Sequence, residues 1–196
     1  MIVVVGSPVA QNDARGPAAA GLGVEIARVA GAAGCAVQLV ARVGEDAPGD
    51  AILLALAADG IGHVAVLREP GRPTPVAGAS IEGGAPTDDV SLRQAIDLDE
   101  SEPPDVAVRG ASASASGLSL DAADLDLALR YLPDYRVVIL ACDLDESARA
   151  TVVGAASWAG AHLVAIVSGA ADAASLPPGA TVFERPAGGS DGSFAA

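Results

Sequence analysis

The chain contains no lysine, so all 11 of its basic residues are arginine. That absence removes the Walker A loop, whose lysine reaches the terminal phosphates, together with Schiff-base chemistry. Cysteine is nearly missing too. Cys35 and Cys142 both stand in apolar stretches and read as small buried hydrophobes. The two histidines, His63 and His162, each open an apolar run without Cys, Asp or Glu at ligand spacing, so no metal site is expected. Aromatic residues are 3% of 196 positions, which leaves Val, Leu, Ile and Ala to build a core of thin, close-packed layers. Long apolar runs are also lacking. Ala51–Ala58, among the longest, falls far short of the roughly 20 residues that cross a bilayer. No basic region precedes an apolar stretch at the N-terminus, so the expected location is cytoplasmic.

Charge is one-sided. With 25 acidic and 11 basic side chains the net charge is −14, a surface that repels phosphate backbones and anionic lipid. The arginines are scattered singly, so neither a nucleic-acid nor a membrane partner is expected.

What is present alternates between strand and helix patterns. Met1–Val5 reads as a buried first strand, ended by the turn Gly6-Ser7-Pro8. Ala18 to Gly34 has apolar residues at helical spacing, with Gly34 as a C-terminal stop. Further strands are expected at Ala36–Val43, His63–Arg68, Val76–Ile81, Arg136–Ala141, His162–Val167 and Ala180–Glu184. Helices are expected at Pro48–Asp59, from an N-cap at Asp121 to near Tyr131, and at Glu146–Gly160. The stretch from about 82 to 119 mixes Gly, Pro, Ser and acids and reads as a mobile loop. The fold class is α/β, one domain over residues 1–196, with a three-layer, mostly parallel sheet and helices on both faces. Ligands of such sheets collect at the carboxyl ends of the strands.

Several segments, in order, carry a family resemblance. Gly21-Leu22-Gly23-Val24-Glu25-Ile26-Ala27 resembles the glycine loop that opens a helix beside the sugar in the PfkB-type, or ribokinase, carbohydrate kinases. Val40-Ala41-Arg42-Val43-Gly44-Glu45-Asp46-Ala47-Pro48-Gly49-Asp50 is similar to that family's Gly-x-Asp-x-x-Gly segment, and Arg72-Pro73-Thr74-Pro75 to its Pro-Thr turn. Near the end, Gly188-Gly189-Ser190-Asp191-Gly192-Ser193-Phe194 resembles the family's catalytic Gly-Ala-Gly-Asp loop.

The resemblance implies a ribokinase-like fold, truncated, and transfer of the ATP γ-phosphate to a sugar or nucleoside hydroxyl with ATP and Mg2+ as cofactors. Asp191 would be the base, and Gly188, Gly189 and Ser190 the anion hole for the transferring phosphoryl group. Asn12, Asp13, Gly21, Gly23 and Glu25 would contact the acceptor. The glycines have a second reading, which is tight packing of helix on sheet. Asn12 and Asp13 read equally as an Asx turn in the loop after strand one, and Gly188–Asp191 as a tail.

Departures accompany the match. Leu22 stands where the family has lysine and Glu25 where it has the sugar-contacting asparagine. Asn12 is the only asparagine, so the family's Asn-x-x-Glu magnesium motif is missing. The lid strands before the glycine loop and the segment that holds the nucleotide are shortened. A catalytically inactive sugar-binding or regulatory module, or a fragment of a longer kinase, is the alternative. The family often dimerises through its lid, which makes a homodimer the implied assembly.

Asp143, Asp145 and Glu146 follow a strand and read either as facing a cation or as the acidic start of a helix.

Overall fold

The computed structural model describes residues 1–13, 16–77, 118–169, 173 and 175–185. Short Val-rich runs supply the sheet: β1 (Ile2–Val5), β4 (Val37–Gly44), β5 (Gly62–Glu69), β6 (Val137–Leu140), β7 (His162–Val167) and β8 (Thr181–Glu184). Their order is β5-β4-β1-β6-β7-β8, and every neighbouring pair is parallel. All six carboxyl ends therefore lie on one edge. The chain builds outward from β1 to β4 and β5, then returns to β1's other side with β6. That reversal makes the edge beyond β1 and β6 a topological switch point, the place where open α/β sheets have their ligand crevice.

Alternation along β1 shows why the sheet is covered on both faces. Val3 and Val5 join a core with Leu125, Leu129, Val152 and Ala156 of α3 (Ala122–Tyr131) and α4 (Glu146–Ala159). Val4 points the other way, into a core with Leu22, Val24, Ile52 and Leu56 of α1 (Leu22–Ala32) and α2 (Ala47–Ala58). Side chains of Val, Leu, Ile and Ala fill both layers, as the aromatic-poor composition requires. Among the described residues no helix is long and apolar enough to cross a membrane.

Helix starts follow capping chemistry. Asp46 caps α2, Asp121 caps α3 in a reciprocal capping box with Asp124, and Asp145 caps α4 by accepting the Ala148 N–H at 2.7 Å. The acidic run after β6 is thus largely helix capping. Asp145 is held below the ordinary carboxylate value by hydrogen bonds from the Ala148 N–H and the Ser147 hydroxyl, which outweigh desolvation.

Three expectations change. Where a turn and the start of a helix are predicted, the chain forms an antiparallel hairpin, β2 (Val9–Asp13) with β3 (Gly16–Ala20). Val76 bridges to Ala10 beside it, so a third segment leans on this lid-like flap. The rest of the strand expected at Val76–Ile81 lies outside the described residues. Asn12 and Asp13 are therefore strand residues near the hairpin tip and not a loop after β1. Cys35, predicted buried, is exposed just past the end of α1. Of the loop expected at about 82–119, residues up to 117 lie outside the described residues, while Leu118 is buried.

Candidate functional site

The carboxyl end of β1 runs into Gly6-Ser7-Pro8, climbs the hairpin, and returns at Gly21 to start α1. Gly21 has φ 109°, a conformation that disfavours any residue with a Cβ, and a Cβ there would stand 2.9 Å from the Ser7 carbonyl. Gly23 faces Gly6: a Cβ on Gly23 would come within 3.0 Å of the Gly6 Cα and 3.7 Å of the Ala141 Cβ. Both glycines let the first turn of α1 settle onto the ends of β1 and β6. The space they spare is filled by the chain itself, which brings the positive end of the helix to the crevice.

Behind α1 stands a second device. Arg28 donates to Glu25 at 2.6 Å, to Asp59 at 2.7 Å and to the Ala19 carbonyl at 2.8 Å. It ties α1, the end of α2 and the base of the hairpin together. Glu25 is thereby engaged with Arg28, one turn into the helix.

A third device holds the loop between β4 and α2. The Asp46 carboxylate accepts the Gly49 N–H at 2.9 Å, the Thr74 N–H at 2.8 Å and the Thr74 hydroxyl at 2.6 Å. The Thr74 hydroxyl oxygen in turn accepts the Gly44 N–H at 2.8 Å. Thr74 is the fully buried polar side chain of the described core, at 4% exposure. Burial raises the Asp46 pKa, but the bonds from Thr74 and Gly49 outweigh it and hold the carboxyl below its ordinary value of 3.8. Gly44 and Gly49 are required by crowding, since a Cβ would meet the Arg72 carbonyl at 2.2 Å and the Gly44 carbonyl at 2.3 Å.

Polar groups line the strand ends on the other side of the crevice. Ser7 stands two residues past β1, Cys142 and Asp143 two and three past β6, Ser168 follows β7 and Arg185 follows β8. Asp143 Oδ1 accepts from the Ser168 hydroxyl at 3.3 Å. Burial pushes the Cys142 thiol up to about 11, against a hydrogen bond from Ser7, with Asp143 adding to the rise and Arg185 opposing it. A thiol so placed stays protonated near neutrality and is no nucleophile.

Of the residues expected from the sequence, Gly21 and Gly23 meet at the crevice. Asn12 and Asp13 sit at the far end of the hairpin, three and four positions beyond the Val9–Ala20 pair at its foot, roughly 10 Å or more away. Gly188, Gly189, Ser190 and Asp191 lie outside the described residues. Sequence reasoning overlooked Ser7, Arg28, Ser168 and Arg185. The Glu25-x-x-Arg28 spacing is a readable signal for one of these, because residues three apart share a helix face.

No family model and no curated protein matches this chain. Solved structures do. The fructokinase of Xylella fastidiosa with bound ATP aligns at TM-score 0.54 and 17% identity, covering 91% of this chain and 51% of that one. The chain has a ribokinase-like fold. The 2-dehydro-3-deoxygluconokinase of Thermotoga maritima aligns at TM-score 0.55 and 14% identity, covering 87% of this chain and 52% of that one. A PfkB protein of Polaromonas aligns at 0.53 and 18%, covering 84% and 54%. This ribokinase-like chain spans about half the length of the sugar kinases it matches.

Proposed function

We propose that this chain binds a sugar or nucleoside at the carboxyl edge of its sheet, under the β2–β3 hairpin, and phosphorylates one of its hydroxyls. The observation that carries the reading is that a glycine-lined helix start, a hairpin flap and the end of β8 share one sheet edge in a ribokinase-like fold. Asp13, Gly21, Gly23 and Asn12 are the acceptor-side residues. Glu25 joins them only if it leaves Arg28. Asp191 takes the proton of the acceptor hydroxyl as that oxygen bonds to phosphorus and the bond from phosphorus to the departing ADP oxygen breaks.

Chain geometry supports this assignment. β8 stands three strands from β1, roughly 14 Å away at ordinary strand spacing. Asp191 is seven residues past Glu184, the last of β8, and an extended chain of that length reaches roughly 23 Å. The segment can therefore span from β8 to the crevice.

ATP supplies the γ-phosphoryl group, and the fit of this edge to an anion rests on Arg185, whose Nε is buried without a hydrogen-bond partner. Magnesium finds no comparable support, because the described residues include no group of three or more His, Cys, Asp or Glu that could hold a metal ion. No step is assigned to it.

The test is calorimetry against a panel of pentoses, hexoses and nucleosides, followed by ADP release with the ligand that binds. The expected result is release that Asp191→Ala abolishes while acceptor binding persists. Turnover unchanged in Asp191→Ala would remove Asp191 from the reaction. A second reading is a sugar-binding or regulatory module without transfer, which coverage of 51% of the fructokinase leaves open. It predicts acceptor binding and no ATP consumption.

A further inference from the structure

Arg185 donates its main-chain N–H to the Val167 carbonyl at 2.8 Å, which fastens it at the carboxyl end of β7. Its guanidinium Nε is out of contact with solvent and has no hydrogen-bond partner. The ion pairs among the described residues engage Arg28, Arg42, Arg68 and Arg130 but not Arg185. A buried cationic N–H without an acceptor is among the more unfavourable arrangements a protein tolerates, and where one persists a role is indicated.

Its surroundings narrow that role. Arg185 stands near enough to Cys142 for its charge to act on the thiol, but that thiol is neutral and compensates nothing. The nearby carboxylate, Asp143, accepts instead from Ser168. Adjacent strand ends of β6, β7 and β8 thus present a carboxylate tied to a hydroxyl, then a guanidinium left over. A guanidinium's planar fork matches the paired oxygens of a phosphate or carboxylate. Its main chain lies at the sheet edge where open parallel sheets receive ligands.

We propose that Arg185 is the anion contact of a phosphate-bearing ligand bound across the carboxyl ends of β7 and β8, with the Ser168 hydroxyl beside it. The choice of phosphate over carboxylate rests on the kinase reading above; the anion contact itself does not. It also requires neither Asp191 nor phosphoryl transfer.

The probe is inorganic pyrophosphate, titrated calorimetrically into the full chain, with ADP and ribose 5-phosphate run alongside to tell a nucleotide source from a sugar phosphate. Wild type should bind pyrophosphate, and Arg185→Gln should weaken it by about tenfold to a hundredfold, as expected for loss of a charge-assisted bond. Arg185→Lys should fall between them, because it keeps the charge and loses the fork. Arg185→Met should melt no lower than wild type, since the orphaned N–H is gone, and should not bind pyrophosphate. Equal pyrophosphate affinity in wild type and Arg185→Gln overturns the proposal, as does failure of wild type to bind at millimolar concentration. If Arg185→Gln does not fold, Arg185→Lys decides: a loss supports the contact and unchanged affinity overturns it. Acceptor-sugar binding measured without phosphate separates the two readings. If no sugar binds while pyrophosphate binding still depends on Arg185, the kinase reading falls and the anion contact stands.

Discussion

Gly6 and Gly23 face each other where β1 ends and α1 begins, each so close that a Cβ on one would stand 3.0 Å from the Cα of the other. This contact is backbone against backbone, so neither side can yield by rotating a side chain. Gly23→Ala should therefore cost about 1–3 kcal/mol, the usual range for overpacking. Gly154→Ala is the opposite control. It lies within α4, and its added methyl would meet nothing within 4 Å, so it should stabilise by about 0.5–1 kcal/mol. Urea denaturation of the two variants measures both signs.

Asp46 caps α2 and also satisfies the buried Thr74. Asp46→Ala should lose roughly 2–4 kcal/mol, combining a lost cap with an orphaned buried hydroxyl. Because the folded-state pKa lies below the ordinary 3.8, the charged carboxylate's contribution is complete above that value. It fades as the pH falls below it, through the folded pKa. The stability gap between wild type and Asp46→Ala should narrow between neutral pH and pH near 3, and denaturation curves at the two pH values check it. A gap that widens in acid would contradict the assigned sign.

Two arginines offer a contrast in ion pairing. Arg42 is 17% exposed and joins Glu69, Asp121 and Asp124, linking the strand end of β4 to the start of α3. Arg130 is 76% exposed and pairs with Asp126 one helical turn away. Arg42→Ala should destabilise by about 2–4 kcal/mol because it strands carboxylates in a partly buried network, whereas Arg130→Ala should stay within about 0.5 kcal/mol. Raising salt should erase the Arg130 effect and leave most of the Arg42 effect.

Arg28 joins the hairpin to the helix layer through the Ala19 carbonyl. Arg28→Met should loosen the flap before it loosens the sheet. Amide hydrogen exchange should quicken about tenfold in β2 and β3, with β1 and β6 changing less. Equal acceleration everywhere would assign Arg28 to global stability alone.

Much of the sheet is legible from composition and period. His162–Val167 and Glu146 onward are readable because apolar runs of strand length are bounded by Gly and by capping Asp. The hairpin is not, for a physical reason. Ala18-Ala19-Ala20 has high helix propensity, yet it is held as β3 by pairing with β2, while Gly21 at positive φ blocks the helix from starting earlier. Thr74 reads as one residue of a turn until Asp46, 28 positions away, is brought to it. Glu25 reads as a ligand contact until Arg28 and Asp59 are in view. Gly21 and Gly23 read from the sequence either as packing or as ligand contacts, and their close approaches to Ser7 and Gly6 emerge only once α1 is folded against the strand ends. Such long-range pairings decide a side chain's role and leave no mark in local pattern.

The most direct measurement is amide chemical-shift mapping on the full chain with the sugar or nucleoside that binds best in calorimetry. The account predicts shifts concentrated at Ser7, in the β2–β3 hairpin and at Gly21–Gly23, with the outer faces of α3 and α4 quiet. Shifts confined to those helices, or a ligand panel that leaves the carboxyl edge unperturbed, would contradict it.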